Sequence, residues 1–415
     1  MMDDGPIHRR RFRLLWSGQF VSDLGGQLTT FALPAIAIVS LKASALQIGA
    51  LQAFEFAVVP LLATLAGVIA DRYPRKRLMI ASNVVRLLAL ASIPAAWAMH
   101  VLTLAQFFVV GAVCAASSVV FDTAYAAFLP SVCGRERYHR AIARMAMSGS
   151  IAEAAGSTSG GAIVQILGAP FAVLVNVATY VVSTLNLLRI HVPEDVAPGA
   201  ESQSAEHDFG AEARAGFTLV ARDPILRAVA LCMATAYLGG AMVTSVFALY
   251  CYRQLHLSPA QFGLIIGLAN LGLIGAMIAR RTAERFGTRR TLIGATLLSA
   301  LGKSLFLVHA APIAAVFLGR LLLSLTGPIT STTQQALQTA NVPDALLGRM
   351  NAAMRTIVWA ALPIGSFLGG VVATVGGIPT TIALGSSVSA LAVGWLVACP
   401  ALSRRRRPAR VPAVT

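Results

Sequence analysis

Apolar runs of about twenty residues or more, separated by short polar turns, occupy most of the chain. A helical run of that length spans the hydrocarbon core of a bilayer. Backbone amides inside lipid must be satisfied within their own segment, so such runs are helices. Six lie near Leu14–Leu41, Leu46–Ala70, Leu78–Met99, Leu102–Leu129, Ala141–Leu167 and Ala169–Ile190. Six more follow near Leu226–Tyr250, Phe262–Ala279, Leu292–Ala311, Ile313–Leu337, Met350–Val375 and Ile378–Cys399. The one long polar interruption, His191 to Asp223, splits them into two sets of six. The pattern therefore predicts an all-α membrane protein of twelve transmembrane helices. Its parts are a segment 1–13, a bundle 14–190, a linker 191–225, a bundle 226–402 and a basic tail 403–415. Phe209 to Arg227, at the linker's end, reads as an amphipathic helix lying on the membrane surface.

Composition narrows the function classes. Of 415 residues 56% are hydrophobic and only 12% charged, about half the charged share of a soluble protein, and the mean hydropathy is +0.72. The net charge of +16 suggests nucleic acid only until its distribution is seen. Of the 33 Lys and Arg residues, 28 are assigned to one side, in or beside alternate gaps and the tails, three to the membrane (Arg86, Lys303, Arg320) and two to the opposite side (Lys42, Arg253). That bias places the basic gaps and both termini in the cytoplasm of a multi-pass protein of the inner (plasma) membrane. Arg9 to Arg13 precede the first span with no small-residue cleavage site, so that span is expected to be retained. The five cysteines show neither metal spacing nor a disulfide framework. There is no nucleophile elbow, no phosphate-binding Gly-Lys-Ser loop and no cluster of metal ligands, so an enzyme is not expected.

Between the second and third spans lies Gly67-Val-Ile-Ala-Asp-Arg-Tyr-Pro-Arg-Lys-Arg77. Gly67 has no side chain to obstruct a neighbouring helix. Asp71 is placed to face the positive N-terminus of a helix starting on the same side. Arg72, Arg75, Lys76 and Arg77 are free to meet acids or lipid phosphates there. The loop has an echo 213 positions later, Glu284-Arg-Phe-Gly-Thr-Arg-Arg290, with Arg280 where Gly67 stood. A second echo, offset by 209, pairs Gly156-Ser-Thr-Ser-Gly-Gly161 with Gly365-Ser-Phe-Leu-Gly-Gly370. Two echoes at nearly one offset indicate a duplicated six-helix unit, the arrangement from which alternating-access carriers are built. Gly156, Gly160, Gly161, Gly365, Gly369 and Gly370 are then expected to be close-packing positions.

The Gly67–Arg77 loop resembles the signature between helices two and three of the major facilitator superfamily, and the likeness extends over roughly Arg11 to Leu402. Phe121-Asp-Thr-Ala-Tyr-Ala-Ala-Phe-Leu-Pro130, Pro343 to Asn351 and the Gly156–Gly161 run are most similar to the bacterial enterobactin-exporter and drug-exporter branch. In that branch's span-five motif a proline stands where this chain has Ser157. The resemblance implies two pseudo-symmetric bundles and secondary active transport. It also implies export of a small amphiphilic molecule, such as a drug, siderophore or secondary metabolite, exchanged for protons. A monomer in lipid is expected, with the proton gradient as energy source and no cofactor, metal or nucleic-acid partner. An importer or facilitator of a small metabolite and a transport-inactive receptor or scaffold are the alternatives.

A charge at mid-span costs about 2.5–3.5 kcal/mol on insertion scales, so each such residue needs a reason. Asp23, Glu55 and Glu153 fall near mid-span. Desolvation favours a carboxyl's neutral form, a condition for taking up and releasing protons, which makes them coupling candidates. A structural ion pair between one of them and Arg86 is the alternative. Asp122 is expected to clamp the Gly67–Arg77 loop. Lys303 is a candidate substrate anchor, whereas Arg320, nearer the span's end, is expected to snorkel or pair structurally. Gln335, Phe31 and Trp359, with Trp16, Phe20, Phe247 and Tyr250, are candidate cavity-lining residues.

Overall fold

A computed structural model describes residues 6–134, 137–192, 209–270 and 275–403, and among these every regular element is helical. The N-terminal half comprises α1 (Pro6–Ala35), α2 (Ala45–Arg72), α3 (Arg75–Ala98), α4 (Leu104–Cys133), α5 (Tyr138–Leu167) and α6 (Ala169–Arg189). After α7 (Phe209–Arg222) come α8 (Pro224–Leu249), α9 (Pro259–Ala269), α10 (Gly275–Phe286), α11 (Thr288–Ser304), α12 (Pro312–Asn341), α13 (Asp344–Leu391) and the short α14 (Val393–Val397). Seven helical stretches, at α2, α3, α4, α6, α8, α12 and α13, are long and apolar enough to cross a membrane by length and composition. The other expected spans are less uniform. α1 and α5 carry charge within their length, and α11 is only 17 residues long. The eighth expected span covers most of α9 and the start of α10, with 271–274 outside the described residues, and the last two lie mainly within α13, which breaks at Gly377 (φ 84°). Most of the linker (193–208) and the basic tail (404–415) lie outside the described residues.

Two features differ from expectation. α1 begins at Pro6, two turns ahead of Leu14, so the Arg9–Arg13 cluster is helical. α7 is docked on protein instead of lying free on the membrane surface. Its Gly216 meets the carbonyl of Arg349, and Val220 shares a core with Met350, Ala353 and Met354 at the start of α13. An apolar stripe facing another helix is removed from both water and lipid headgroups.

The duplication extends to backbone detail. α1 ends in a π-turn, Ile36–Ser40, closed by Leu41 N–H to Ile36 O (3.0 Å) and Ala43 N–H to Ala37 O (2.9 Å), with Lys42 at φ 51°. The chain then re-enters a helix through a capping box in which Ser44 and Gln47 satisfy each other's backbone amides. The same course recurs 214 residues on, where Tyr250–Gln254, Leu255, His256 (φ 50°), Ser258 and Gln261 repeat every step. At the other end Lys76 Nζ donates to the carbonyls of Leu188 (3.2 Å) and Ile190 (2.7 Å), at the end of α6. Arg289, 213 residues later, donates to Leu396 O (3.3 Å) and Val397 O (2.8 Å). Each cation satisfies carbonyls that a helix C-terminus leaves without partners.

These contacts define a hairpin end, with the Lys42 and His256 turns, and a basic end, with the Arg72–Arg77 and Arg285–Arg290 loops. At the hairpin end a single hydrophobic core contains Phe31, Ile48 and Phe107 from one half and Phe247, Phe262 and Phe306 from the other. At the basic end the cores are separate. Met79, Phe121, Phe128 and Ile190 pack within the N-terminal half, and Leu226, Leu292, Met350 and Leu396 within the C-terminal half.

Candidate functional site: the junction between the halves

Two helix crossings, related by the internal repeat, join the halves at the hairpin end. In one, α2 meets α13: a Cβ at Gly49 would stand 2.8 Å from Gly370 Cα and 2.6 Å from Ser366 O. In the other, α9 meets α5: a Cβ at Gly263 would stand 2.8 Å from Gly161 Cα and 2.9 Å from Ser157 O. Only glycine permits such approach, and the gain is van der Waals contact that lipid-embedded helices cannot obtain from a hydrophobic effect. Polar contacts reinforce the seal. Arg253 donates across to Ala43 O (2.9 Å) and Ile38 O (3.4 Å), Ala260 N–H to Gln165 Oε1 (3.2 Å), and Asn270 to Ser157 Oγ (3.4 Å). Phe31, 2% exposed, meets Phe262 edge-on at 5.7 Å. Phe31 is thus part of the plug, not the lining of an open pocket. Of the other expected packing glycines, Gly156 and Gly160 face α1, while Gly365 and Gly369 face α8.

The same helices separate toward the basic end. Gly67 on α2, Gly149 on α5 and Gly348 on α13 have nothing within 4 Å of an added Cβ. Among the described residues nothing packs against the Cβ side of Gly67 in this state, so the close helix approach expected there is not made. Asp71 and Arg72 are exposed, whereas Arg75 donates to Ala127 O (3.1 Å) on α4 and Lys76 holds the end of α6. The loop is braced on its own half, and Asp122, exposed on α4, forms no ion pair with it among the described residues.

The in-span charges of the N-terminal half do not form the expected pair. Arg86 is 7% exposed and donates to Asn83 Oδ1 (2.7 Å), Ser118 Oγ (3.4 Å) and Ser82 O (3.4 Å). Its guanidinium lies between the rings of Phe121 (4.6 Å) and Tyr180 (4.8 Å). Among the described residues no carboxylate comes within 4 Å of it; neutral acceptors and aromatic faces fill its surroundings instead. Asp23 is half-buried and accepts from Gln19 (2.7 Å), with Arg86 and Asp122 in electrostatic reach. Glu55 lies in the crevice between α2 and α4, its carboxylate against Gly111. Glu153 is exposed midway along α5. An apolar cavity of about 280 Å³ lies between α2, α3 and α4, lined by residues such as Leu62, Ile69, Val85 and Val120. It belongs to one half and holds none of these charges.

In the C-terminal half Lys303 is enclosed rather than open to a chamber: it is 7% exposed, and its ammonium donates to Ser389 Oγ (2.9 Å). Trp359 is half-buried beneath the Arg355 guanidinium (5.2 Å), and the Gln335 side chain is exposed, while its neighbours Gln334 and Gln338 are buried. Arg320 departs from its expected peripheral role. Its Nε is shut off from solvent without a hydrogen-bond partner, and its guanidinium lies 5.6 Å from the Phe247 ring. Sequence reading also missed the Leu-x-x-Ser-x-x-Gln-x-Gly repeat at 41–49 and 255–263, which carries both hairpin turns and the glycines Gly49 and Gly263.

Known proteins agree with this architecture. The chain is similar to a nucleoside transporter, NupG, at 15% identity, with a TM-score of 0.73 over 95% of this chain and 99% of that one. It is also similar to a bacterial homologue of the iron transporter ferroportin in an inward-facing state, at 18% identity and TM-score 0.74, covering 94% and 98%. A bacterial homologue of the human lysosomal transporter Spinster, inward-facing and unoccupied, aligns at 14% identity and TM-score 0.70, covering 96% and 97%. Identities this low establish the fold alone. No curated protein sequence matches the chain. The sequence matches a family described as transmembrane secretion effector over residues 4–409. With nearly its whole length matched and both halves folded as duplicated six-helix units, the chain belongs to that family and is a transporter of the major facilitator superfamily.

Proposed function

We propose that this transporter exports a small amphiphilic molecule across the inner membrane in exchange for protons, by alternating access. The observation that carries the reading is the asymmetry of the junction: one shared, glycine-crossed core at the hairpin end against two separate cores at the basic end. A carrier that rocks between two closures needs a seal of this kind, with crossings that open without breaking either half. The bias of Lys and Arg assigns the basic end to the cytoplasm, so this state opens inward, where an exporter loads. The family description, a secretion effector, supports the outward direction. Asp23, Glu55 and Glu153 supply carboxyls for proton exchange, all in the N-terminal half. Asp71 is free here to engage the C-terminal half when the basic end closes.

The experiment is uphill transport in vesicles holding the purified protein. Collapsing the proton gradient should abolish accumulation of the exported compound. Accumulation that persists without a gradient would remove proton coupling from the mechanism.

A further inference from the structure

Three cations are assigned to the membrane, and two of them have hydrogen-bond partners. Arg86 has three acceptors and two rings, and Lys303 has Ser389. Arg320 differs. Its Nε–H is buried and has no hydrogen-bond partner among the described residues, although part of the side chain remains accessible. Leaving a buried charged donor unpaired is costly, and native structures do so rarely. Its guanidinium lies 5.6 Å from Phe247, which touches Phe262 (5.8 Å) and Phe306 (5.0 Å), the aromatic plug of the seal. The acid in electrostatic reach is Glu153, on α5 of the opposite half, and it is not within ion-pair distance. The buried Nε–H of Arg320 thus sits beside the aromatic plug, within the electrostatic influence of a carboxylate from the other half.

Building on the transport reading above, we infer that Arg320 is a binding residue for a carboxylate on the substrate, with Glu153 as the competing charge across the junction. A guanidinium presents Nε–H and one Nη–H in parallel, matching both oxygens of a carboxylate. The aromatic surroundings select within the oxyanions. They favour a monoanion joined to an apolar or aromatic body, because a phosphate dianion loses far more hydration there. Glu153 repels such a ligand while attracting Arg320. Neutralising Glu153 therefore strengthens binding, whereas losing Arg320 removes it.

The test uses the full chain in lipid nanodiscs without any gradient. Binding of naphthoate, phenylbutyrate and indole-acetate is measured by thermal unfolding and titration. Naphthamide and naphthyl phosphate serve as neutral and dianionic controls. Naphthoate should raise the unfolding midpoint of the wild-type chain while both controls leave it unchanged. Arg320→Gln should abolish that effect, Arg320→Lys should retain a weakened one, and Glu153→Gln should tighten binding several-fold. Equal response to naphthoate and naphthamide, unchanged binding in Arg320→Gln, or no response to any of the three carboxylates would overturn the assignment. A preference for naphthyl phosphate would also overturn it. If Arg320→Gln does not fold, unchanged or weaker binding in Glu153→Gln decides against it. Because no gradient is present, failure here is separate from failure of proton-driven export.

Discussion

The two halves share a backbone but differ in the acids their helices carry. Their π-turns, capping boxes and helix-end cations repeat at offsets of 213–214 residues. Yet the first half places Asp23, Glu55, Asp122 and Glu153 within its helices. From Asp223 to Ser403 the only acids after that N-cap are Glu284 and Asp344, close to helix ends. The C-terminal half has Lys303 and Arg320 instead. Duplication preserved what holds a bundle together and left the in-membrane charges free to diverge. Under the proposed function this becomes a division of labour, with proton exchange in one half and recognition of negative charge in the other.

The sharpest test of that division contrasts two buried cations. Arg86→Met should lower stability by about 2–4 kcal/mol, since it removes three hydrogen bonds and two ring contacts. Lys303→Met should lie within about 1 kcal/mol of wild type, because losing one hydrogen bond is offset by removing a buried charge without an acid partner. Thermal unfolding of both variants decides the matter. Equal losses would mean that the cations are equivalent framework parts.

The next test concerns the shared backbone. Gly161→Val and Gly370→Val place methyl groups into mirrored crossings, and overpacking costs about 1–3 kcal/mol. Each should weaken the hairpin-end closure about tenfold or more. The measurement is alkylation of a cysteine introduced at Ser44 from that side of sealed vesicles. A large effect from only one substitution would break the symmetry of the seal. The last pair of sites is Gly168 and Gly377, with φ of 79° and 84°. With ψ of 145° and 165° both lie near a region essentially reserved for glycine, so alanine at either should cost about 1–3 kcal/mol, and the two unfolding midpoints should fall by similar amounts.

The spans, the halves and the repeated loops were legible because each is written in consecutive residues. A twenty-residue apolar run or a cluster of four bases needs no partner to be recognised. What the charged side chains face was less accessible. Phe31 seals, Lys303 is enclosed, and Arg86 is satisfied by Asn83, Ser118 and two rings, because tertiary packing chooses which side of an apolar helix turns inward. A helix apolar on every side carries no stripe to announce that choice. The Leu41–Gly49 repeat was readable in principle, but only Leu, Ser, Gln and Gly recur, at spacings set by a turn whose geometry is invisible until built.

The placement of both glycine crossings at one end makes the long helices levers. α5 runs 30 residues, roughly 45 Å at 1.5 Å per residue. With its fulcrum near Gly161, a tilt of about ten degrees sweeps the far tip through several ångströms. Sub-ångström slippage at the pivot is thereby magnified into an aperture wide enough for a small molecule, and the bundles themselves never need to deform.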